Sequence, residues 1–174
     1  MLKGSARSYL ELDNAALLKQ CDVHTYRSRG PGGQKRNKTS SAVRVRHRPT
    51  GLTATATEDR SQHVNKARAV RRLRNAIALH VRTEVGPDHY EVSALLSGCI
   101  GDDGHILIGR RDSRYCLVIS EILDIVFACG MRLREAAGHL QVPTSHLVNL
   151  FQRDPKLWER VNEMRIAAGL KRLR

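Results

Sequence analysis

The chain has 174 residues, of which 41% are hydrophobic, so it can bury a core as one domain of ordinary size or as two small ones. Its formal net charge is +13, and no apolar run is long enough for a membrane-spanning helix. The charge is uneven. Residues 1–84 carry 18 Lys/Arg against 6 Asp/Glu, whereas residues 85–174 carry 12 against 11. The N-terminal half therefore has the electrostatic character of a nucleic-acid-binding protein, and the C-terminal half is almost neutral.

The cysteines and the N-terminus bear on the cellular compartment. The four cysteines include no Cys-x-x-Cys pair and lie in mostly apolar surroundings, which predicts reduced, buried thiols rather than zinc ligands or disulfides. We expect no metal and no cofactor. Residues 1–9 are basic, as in an organellar transit peptide, but Glu11 and Asp13 follow soon after, and no secretory signal is visible. We expect a cytoplasmic protein, with the mitochondrial matrix as the alternative.

The first elements lead into a glycine-rich loop. Asp13 or Asn14 is expected to cap a short helix over residues 15–21, and residues 22–27 are expected to form a strand. Three glycines and one proline then occupy residues 30–33, which excludes a helix or a central strand there. Five basic residues flank this turn, so a polyanionic ligand is expected; they are Arg27, Arg29, Lys35, Arg36 and Lys38.

The chemistry of this loop is limited by what it lacks. Between Arg27 and Ser41 there is no Asp, Glu, His or Cys, so the loop offers no acid–base residue, thiol or metal ligand. It offers backbone N–H groups and the amide of Gln34, which suit binding an oxyanion or holding a water. A nucleotide-binding P-loop is excluded because Asn37 stands where its second glycine would be. A disordered Arg-Gly segment is the other alternative.

The residues after the loop predict two strands. Residues 37–41 are expected to form a helical turn. Residues 42–48 then alternate, with Val43, Val45 and His47 on one face and Arg44, Arg46 and Arg48 on the other. This pattern is typical of a half-buried strand with a basic outer face. Residues 49–51 form a turn, and residues 52–57 return as a second strand.

A long helix is predicted over residues 62–83, capped by Asp59 or Ser61. Its apolar stripe consists of Val64, Ala67, Val70, Leu73, Ile77 and Val81. The basic residues largely off this stripe are Lys66, Arg68, Arg71, Arg72 and Arg74. Such residues usually form a solvated helix face. Because the neighbouring strand and loop carry the same charge, we favour contact with RNA.

A domain boundary is expected at residues 85–87, so that residues 1–85 form one domain and residues 86–174 a second. In the second domain we expect a helix over residues 88–96 capped by Asp88, a loop or short strand over residues 97–111, and an apolar helix from Asp112 or Ser113 to residue 128. Helices are also expected over residues 132–141, 144–152 and from 155 to Gly169. The pair on either side of Val142-Pro143 resembles a helix-turn-helix.

The run from residue 23 to residue 79 resembles the GGQ domain of class I peptide chain release factors. The matching residues are Tyr26-Arg27-Ser28-x-Gly30-Pro31-Gly32-Gly33-Gln34-x-x-Asn37-Lys38, then Ser41-Ala42-Val43-Arg44, Pro49-Thr50-Gly51 and Glu58-Asp59-Arg60-Ser61-Gln62-x-x-x-Lys66-Ala67. The resemblance implies a GGQ domain, in which a long helix packs on a small mixed or antiparallel sheet. Together with the all-α, helix-turn-helix-like module expected from residues 86–174, this predicts an α+β fold.

The resemblance also implies an enzyme, a peptidyl-tRNA hydrolase that cleaves the ester between the nascent peptide and P-site tRNA in the large ribosomal subunit. The implied catalytic residues are Gly32, Gly33 and Gln34. The Gln34 N–H would stabilise the oxyanion or the leaving 3′-hydroxyl, and by the same analogy its side-chain amide is a methylation site. The expected contacts to large-subunit rRNA and peptidyl-tRNA are Arg27, Arg29, Lys35, Arg36, Asn37, Lys38, Arg44, Arg46, Arg48, Lys66, Arg68, Arg71 and Arg72.

Because only 22 residues precede Val23, the chain is similar to the stand-alone GGQ proteins that rescue stalled ribosomes without reading a codon. It differs from them in its nearly neutral C-terminal module, where they carry a basic tail, and in Lys35 and Arg36 after the glutamine. A non-catalytic ribosome- or RNA-binding protein is the first alternative.

A DNA-binding regulator is the second alternative, and the charge distribution disfavours it because residues 144–152 contain no Lys or Arg. We expect no DNA partner, no membrane contact, and docking of the module on the ribosome or on a protein partner. Val148 or Phe151 would either serve that contact or belong to the core.

Overall fold

The structure, a computed structural model, describes residues 2–3, 5–27 and 41–174. It divides into two compact units: a sheet unit of Leu2 and Ser8–Val81, and a helical unit of Lys3–Arg7 and Arg82–Arg174. The chain therefore has the predicted α+β fold. Residues 28–40, which include the glycine-rich loop and most of the helical turn predicted at residues 37–41, lie outside the described residues.

The sheet unit is built on three antiparallel strands. In chain order the elements are β1 (Leu2–Lys3), α1 (Ala6–Leu10), α2 (Asn14–Lys19), β2 (Cys21–Tyr26), β3 (Ala42–His47), β4 (Thr53–Ala56), α3 (Gln62–His80) and β5 (Val81–Arg82). The strand order of the three-stranded sheet is β2–β3–β4, and the long helix α3 contacts β3 and β4. A separate two-stranded sheet pairs β1 with β5.

The alternation predicted for β3 is confirmed. Val43, Val45 and His47 are fully buried, and Arg44 and Arg46 are exposed on the opposite face. The strand register places Val45 between Val23 of β2 and Ala54 of β4. Because successive side chains of a strand point to opposite faces, one face of β3 forms the core and the other carries its basic residues.

Helix α3 begins as predicted but differs from the prediction along its length. Ser61 is the N-cap, and its Oγ accepts a hydrogen bond from the Val64 N–H at 3.4 Å. The prediction for Ala67 is wrong, since this residue is exposed while polar Asn65 is buried. Asn65 can be buried because hydrogen bonds satisfy its side-chain amide in the core. A stripe defined by apolar residues alone does not predict a buried asparagine. The helix also ends at His80, because residues 81–82 form β5.

The helical unit contains one 3₁₀ helix and five α-helices within the described residues. They are the 3₁₀ helix Pro87–His89, α4 (Ala94–Ser97), α5 (Tyr115–Ala128), α6 (Leu133–His139), α7 (Thr144–Gln152) and α8 (Pro155–Ala167). Helix α5 supplies the centre of the core, with Val118, Ile119, Ile122 and Leu123 at most 1% exposed. Helix α8 begins after the N-cap Asp154, whose Oδ1 accepts a hydrogen bond from the Lys156 N–H at 3.0 Å.

The single helix predicted over residues 88–96 is wrong. The chain forms a 3₁₀ turn, runs extended through Tyr90, and begins α4 with Ser93 as its N-cap. Glu121 of α5 explains the break: its carboxylate accepts hydrogen bonds from the Tyr90 hydroxyl at 2.9 Å and the Ser93 N–H at 2.9 Å. A contact 28 residues away in sequence therefore overrides the local helical pattern.

The side chains suggested as partner contacts on α7 are differently placed. Phe151 is fully buried, so it belongs to the core and the contact interpretation is wrong for it, whereas Val148 is half-buried. Leu147 and Leu150 complete the buried face of this helix. In the part of the chain that the structure describes, no helix has the length and apolar content needed to cross a membrane.

Candidate nucleic-acid interface

The outer face of the three-stranded sheet presents two cations side by side. Arg44 lies between His24 and Thr55 in the strand register, and Arg46 lies between Asp22 and Thr53. The guanidinium of Arg44 sits over the ring of Tyr26, 5.4 Å from its centroid. Stacking on an aromatic ring restricts an arginine without removing its charge. This face is therefore suited to contact phosphates, as predicted for both residues.

Two further predicted contacts lie on α3. Lys66 and Arg71 are exposed there. Arg27 is also exposed and is the last described residue before the glycine-rich loop. Because long basic side chains hold their charge in water and reach far, these residues can contact a polyanion.

Arg68 and Arg72 have acidic or carbonyl partners close by. Arg72 donates to the Thr55 carbonyl at 2.5 Å and to Glu58 Oε1 at 2.6 Å, and the hydrogen bond to Glu58 lowers the pKa of that carboxyl. Arg68 lies 3.4 Å from Asp59 Oδ2. Both arginines are thus engaged in linking α3 to the segment after β4, in addition to any role with RNA.

Arg48 links α2 to β2 through side-chain hydrogen bonds. Its Nη1 donates to the Cys21 carbonyl and to Asp22 Oδ1, both at 3.0 Å, and its Nη2 donates to the Lys19 carbonyl at 2.6 Å. Alternation placed this residue on the basic face together with Arg44 and Arg46. In the structure, Arg48 also connects two elements of the sheet unit, although its side chain remains 53% exposed.

Two polar residues organise the unit in ways that the sequence does not indicate: the sequence places Arg74 among the basic residues for which contact with RNA is favoured, and it gives Asn65 no role. Arg74 donates to the Leu10 carbonyl at 2.9 Å and to the Leu12 carbonyl at 2.5 Å, so it fixes the segment before α2. Asn65 is fully buried, and its Nδ2 donates to the carbonyls of Ser41 at 2.7 Å and Asp59 at 2.8 Å. An asparagine on the apolar side of a helix was the only available sequence signal.

The two ends of the glycine-rich loop emerge from paired residues. Tyr26, at the end of β2, is directly opposite Ala42, at the start of β3. Residues 27 and 41, the described residues on either side of the loop, therefore adjoin neighbouring strand ends. The predicted catalytic and basic residues within the loop lie outside the described residues; they are Arg29, Gly32, Gly33, Gln34, Lys35, Arg36, Asn37 and Lys38.

Residues 14–91 match the family model described as the RF-1 domain. These residues belong to the RF-1 domain family. The family resemblance found in the sequence motifs is thereby confirmed. The matched RF-1 domain begins with α2, includes the three-stranded sheet and α3, and ends just after the 3₁₀ helix.

Individual relatives of the RF-1 domain are peptide chain release factors. The chain is 56% identical over 62 residues to peptide chain release factor 1 of Leptothrix cholodnii, which covers 36% of this chain and 17% of the relative. It is 41% identical over 93 residues to peptide chain release factor 1 of Chlamydia pneumoniae, covering 52% and 25%. For peptide chain release factor 2 of Neisseria meningitidis serogroup C, the identity is 51% over 55 residues, covering 32% and 15%. The chain spans a quarter or less of the length of these relatives.

Proposed function

We propose that this chain is a ribosome-dependent peptidyl-tRNA hydrolase, which releases the nascent peptide from P-site tRNA. The observation that carries the proposal is the sequence Gly32-Gly33-Gln34, placed between the paired residues Tyr26 and Ala42 of an RF-1 domain. The relatives named as release factors support an activity of this type. The exposed pair Arg44 and Arg46 supports ribosomal RNA as the partner.

In the proposed mechanism, the loop supplies electrostatic stabilisation and no proton transfer. Ester hydrolysis develops negative charge on the carbonyl oxygen and on the leaving 3′-hydroxyl, and the Gln34 N–H would donate to one of them. Gly32 and Gly33 would let the backbone approach the ester closely, and the Gln34 amide would help to select the attacking water. Protons would be exchanged with substrate, solvent or RNA, because the residues between Arg27 and Ser41 include no Asp, Glu, His or Cys.

The finer proposal is that release is independent of a codon and serves the rescue of stalled ribosomes, in the cytoplasm. It rests on the resemblance to stand-alone GGQ proteins. Peptide release can be compared on four substrates carrying labelled peptidyl-tRNA: ribosomes stalled at the end of a truncated mRNA, ribosomes with a stop codon, ribosomes with a sense codon, and free large subunits. We expect release on ribosomes stalled at the end of a truncated mRNA or on free large subunits, without a need for a stop codon. A strict requirement for a stop codon would contradict the rescue role.

The catalytic assignment is tested with Gln34→Ala and Gly33→Ala in the same assay. Gln34→Ala keeps the backbone N–H but removes the side-chain amide that would help to select the attacking water. Gly33→Ala adds a Cβ that would hinder the close approach of the backbone to the ester. Both variants should therefore release peptide more slowly, by roughly 10²-fold. Gln62→Ala is the matched control, since Gln62 is an exposed glutamine at the start of α3. Undiminished release by both loop variants would remove this assignment. Intact-mass measurement of the native protein tests methylation of Gln34.

The same substrates distinguish the alternative function, a non-catalytic ribosome- or RNA-binding protein. This alternative predicts tight, salt-sensitive binding of the wild-type chain to ribosomes with no release on any substrate. Binding without release would therefore refute hydrolysis, but it would still agree with contact between ribosomal RNA and the Arg44 and Arg46 side chains.

A further inference from the structure

Three side chains with metal-binding groups meet at the turn between α5 and α6, outside the RF-1 domain. Cys129 Sγ, a carboxylate oxygen of Glu135 and a ring nitrogen of His139 all lie within 4.8 Å of one another. Cys129 is fully buried, His139 is half-buried and Glu135 is exposed. The cluster therefore lies at the edge of the core, with one side towards solvent.

The backbone fixes the three positions. Cys129 caps the end of α5, and its N–H donates to the Ile125 carbonyl at 3.0 Å. The next two residues, Gly130 and Met131, have φ values of 59° and 64°, which reverse the chain within a very short turn. Glu135 and His139 then lie one helical turn apart on α6 and share a face. The turn brings this face back towards the thiol.

We propose that Cys129, Glu135 and His139 bind one Zn²⁺ ion, with a fourth position open to water or another ligand. A thiolate, an imidazole and a carboxylate are the ligand types that zinc takes in proteins, whereas Mg²⁺ and Ca²⁺ prefer oxygen ligands throughout. Tetrahedral zinc with bonds of about 2.0–2.3 Å needs ligand atoms roughly 3.5 Å apart. Because every pair of these ligand atoms lies within 4.8 Å, each separation has to shorten by no more than about 1.3 Å, and the exposed Glu135 and half-buried His139 side chains can move by that amount.

Arg132 supports the arrangement as a positioning residue. Its Nε donates to Glu135 Oε2 at 2.6 Å, so the carboxylate is already held beside the cluster. A carboxylate has two oxygens, and pairing with a guanidinium leaves acceptor capacity for a metal. Hydrogen bonds from neighbouring groups to a ligating carboxylate are usual around zinc sites. The cysteine spacing argued against zinc in the sequence, but this site uses one cysteine with two other ligand types.

The test uses the full chain, stripped with a chelator and titrated with Co²⁺, a spectroscopic substitute for zinc. We expect one equivalent of Co²⁺ to give the visible absorption of a tetrahedral site together with a thiolate charge-transfer band in the near ultraviolet. Zn²⁺ should abolish both signals and raise the melting temperature of the chain, since it binds the folded state. His139→Gln and Glu135→Gln should weaken Co²⁺ binding at least roughly tenfold.

Cys129→Ser should remove the thiolate band. Cys116→Ser and His146→Gln are matched controls on α5 and α7, outside the cluster, and should leave the titration unchanged. Because Cys129 is buried and its variant could fail to fold, the half-exposed His139 provides the deciding substitution. Absence of a thiolate band at one equivalent, or a band that His139→Gln leaves unchanged, would overturn the proposal.

Discussion

The side-chain amide of Asn65 donates a hydrogen bond to the backbone carbonyl of Ser41, with 2.7 Å between the two atoms. Ser41 is the first described residue after the glycine-rich loop. The same amide donates to the Asp59 carbonyl, and its oxygen accepts from the Asp59 N–H at 3.0 Å. One buried side chain therefore ties the exit of the loop to the first turns of α3.

We expect Asn65→Ala to lower both stability and peptide release. The substitution leaves three backbone groups of Ser41 and Asp59 without their partner, which should cost roughly 3 kcal/mol in the free energy of unfolding. Release, measured at a temperature where the variant is folded, should fall because the loop exit is no longer fixed. Ser61→Ala is the control: it removes the N-cap of the same helix at a cost of about 1 kcal/mol without touching Ser41. A folded Asn65→Ala variant with wild-type release would contradict a positioning role.

Charge reversal on the outer face of β3 should weaken ribosome binding without unfolding the protein. Arg44 and Arg46 are exposed there, so Arg44→Glu with Arg46→Glu disturbs no core packing. For every phosphate that the variant no longer neutralises, the dependence of log affinity on log salt should flatten by about 0.7–0.9. The double variant Arg111→Glu with Arg134→Glu changes the net charge equally at exposed positions of the helical unit. Equal reductions in affinity for the two pairs would show that net charge, and not this face, determines binding.

The buried ion pair of Arg82 and Asp124 should be sensitive to removal of either partner. Arg82 Nη1 donates to Asp124 Oδ1 at 2.9 Å and to the Ser120 carbonyl at 3.1 Å, and the arginine side chain is 2% exposed. Burial lowers the pKa of Arg82 to about 10 and, as the main cause, raises that of Asp124, so each ion depends on its partner. Asp124→Ala should cost about 3–5 kcal/mol in denaturant unfolding, because an unpaired charge stays buried.

Replacing both Arg82 and Asp124 distinguishes two contributions to the free energy of unfolding: the cost of leaving one buried charge unpaired and the stabilisation that the ion pair itself provides. The double variant Arg82→Met with Asp124→Leu should recover much of the stability lost in Asp124→Ala, since apolar replacements of buried ion pairs are often close to neutral. If the double variant is as unstable as Asp124→Ala, the hydrogen bond from the Thr83 N–H to Asp124, and not the ion pair, carries the stability.

The buried histidine of β3 should make stability dependent on pH. His47 Nε2 lies 3.2 Å from Gln20 Oε1 and Nδ1 lies 2.8 Å from the Thr50 hydroxyl, so the neutral ring donates to Gln20 and accepts from Thr50. Burial, followed by the charge of Arg48, lowers the pKa of His47. The unfolded chain then binds a proton more readily, near the ordinary pKa of about 6.5.

The stability contribution of His47 should therefore be complete above about pH 6.5 and decline as the pH falls below that value, by at most about 1.4 kcal/mol per pH unit. Denaturant unfolding at pH 7.5 and 5.5 measures this decline, which His47→Gln should reduce. An NMR titration that places the His47 pKa above 6.5 would reverse the sign and refute the prediction.

Local patterns in the sequence determined much of the sheet unit. Alternation determined which face of β3 is buried, and the two candidate caps that the sequence offered for each helix included the actual N-cap, Asp13 for α2 and Ser61 for α3. The motifs around Gly32-Gly33-Gln34 identified the family. Strand alternation and helix capping depend on residues only a few positions apart, so they can be predicted from the local sequence.

Tertiary structure decided what depends on partners far apart in sequence. Glu121 breaks the predicted helix at Tyr90, Arg74 is used to hold the segment near Leu10, and Asn65 is buried because Ser41 and Asp59 satisfy its amide. The meeting of Cys129 with His139 likewise depends on the turn between two helices. A polar side chain carries no signal in the sequence for where its partner lies, because hydrogen bonds and metal ligands are set by distance in space and not by spacing along the chain.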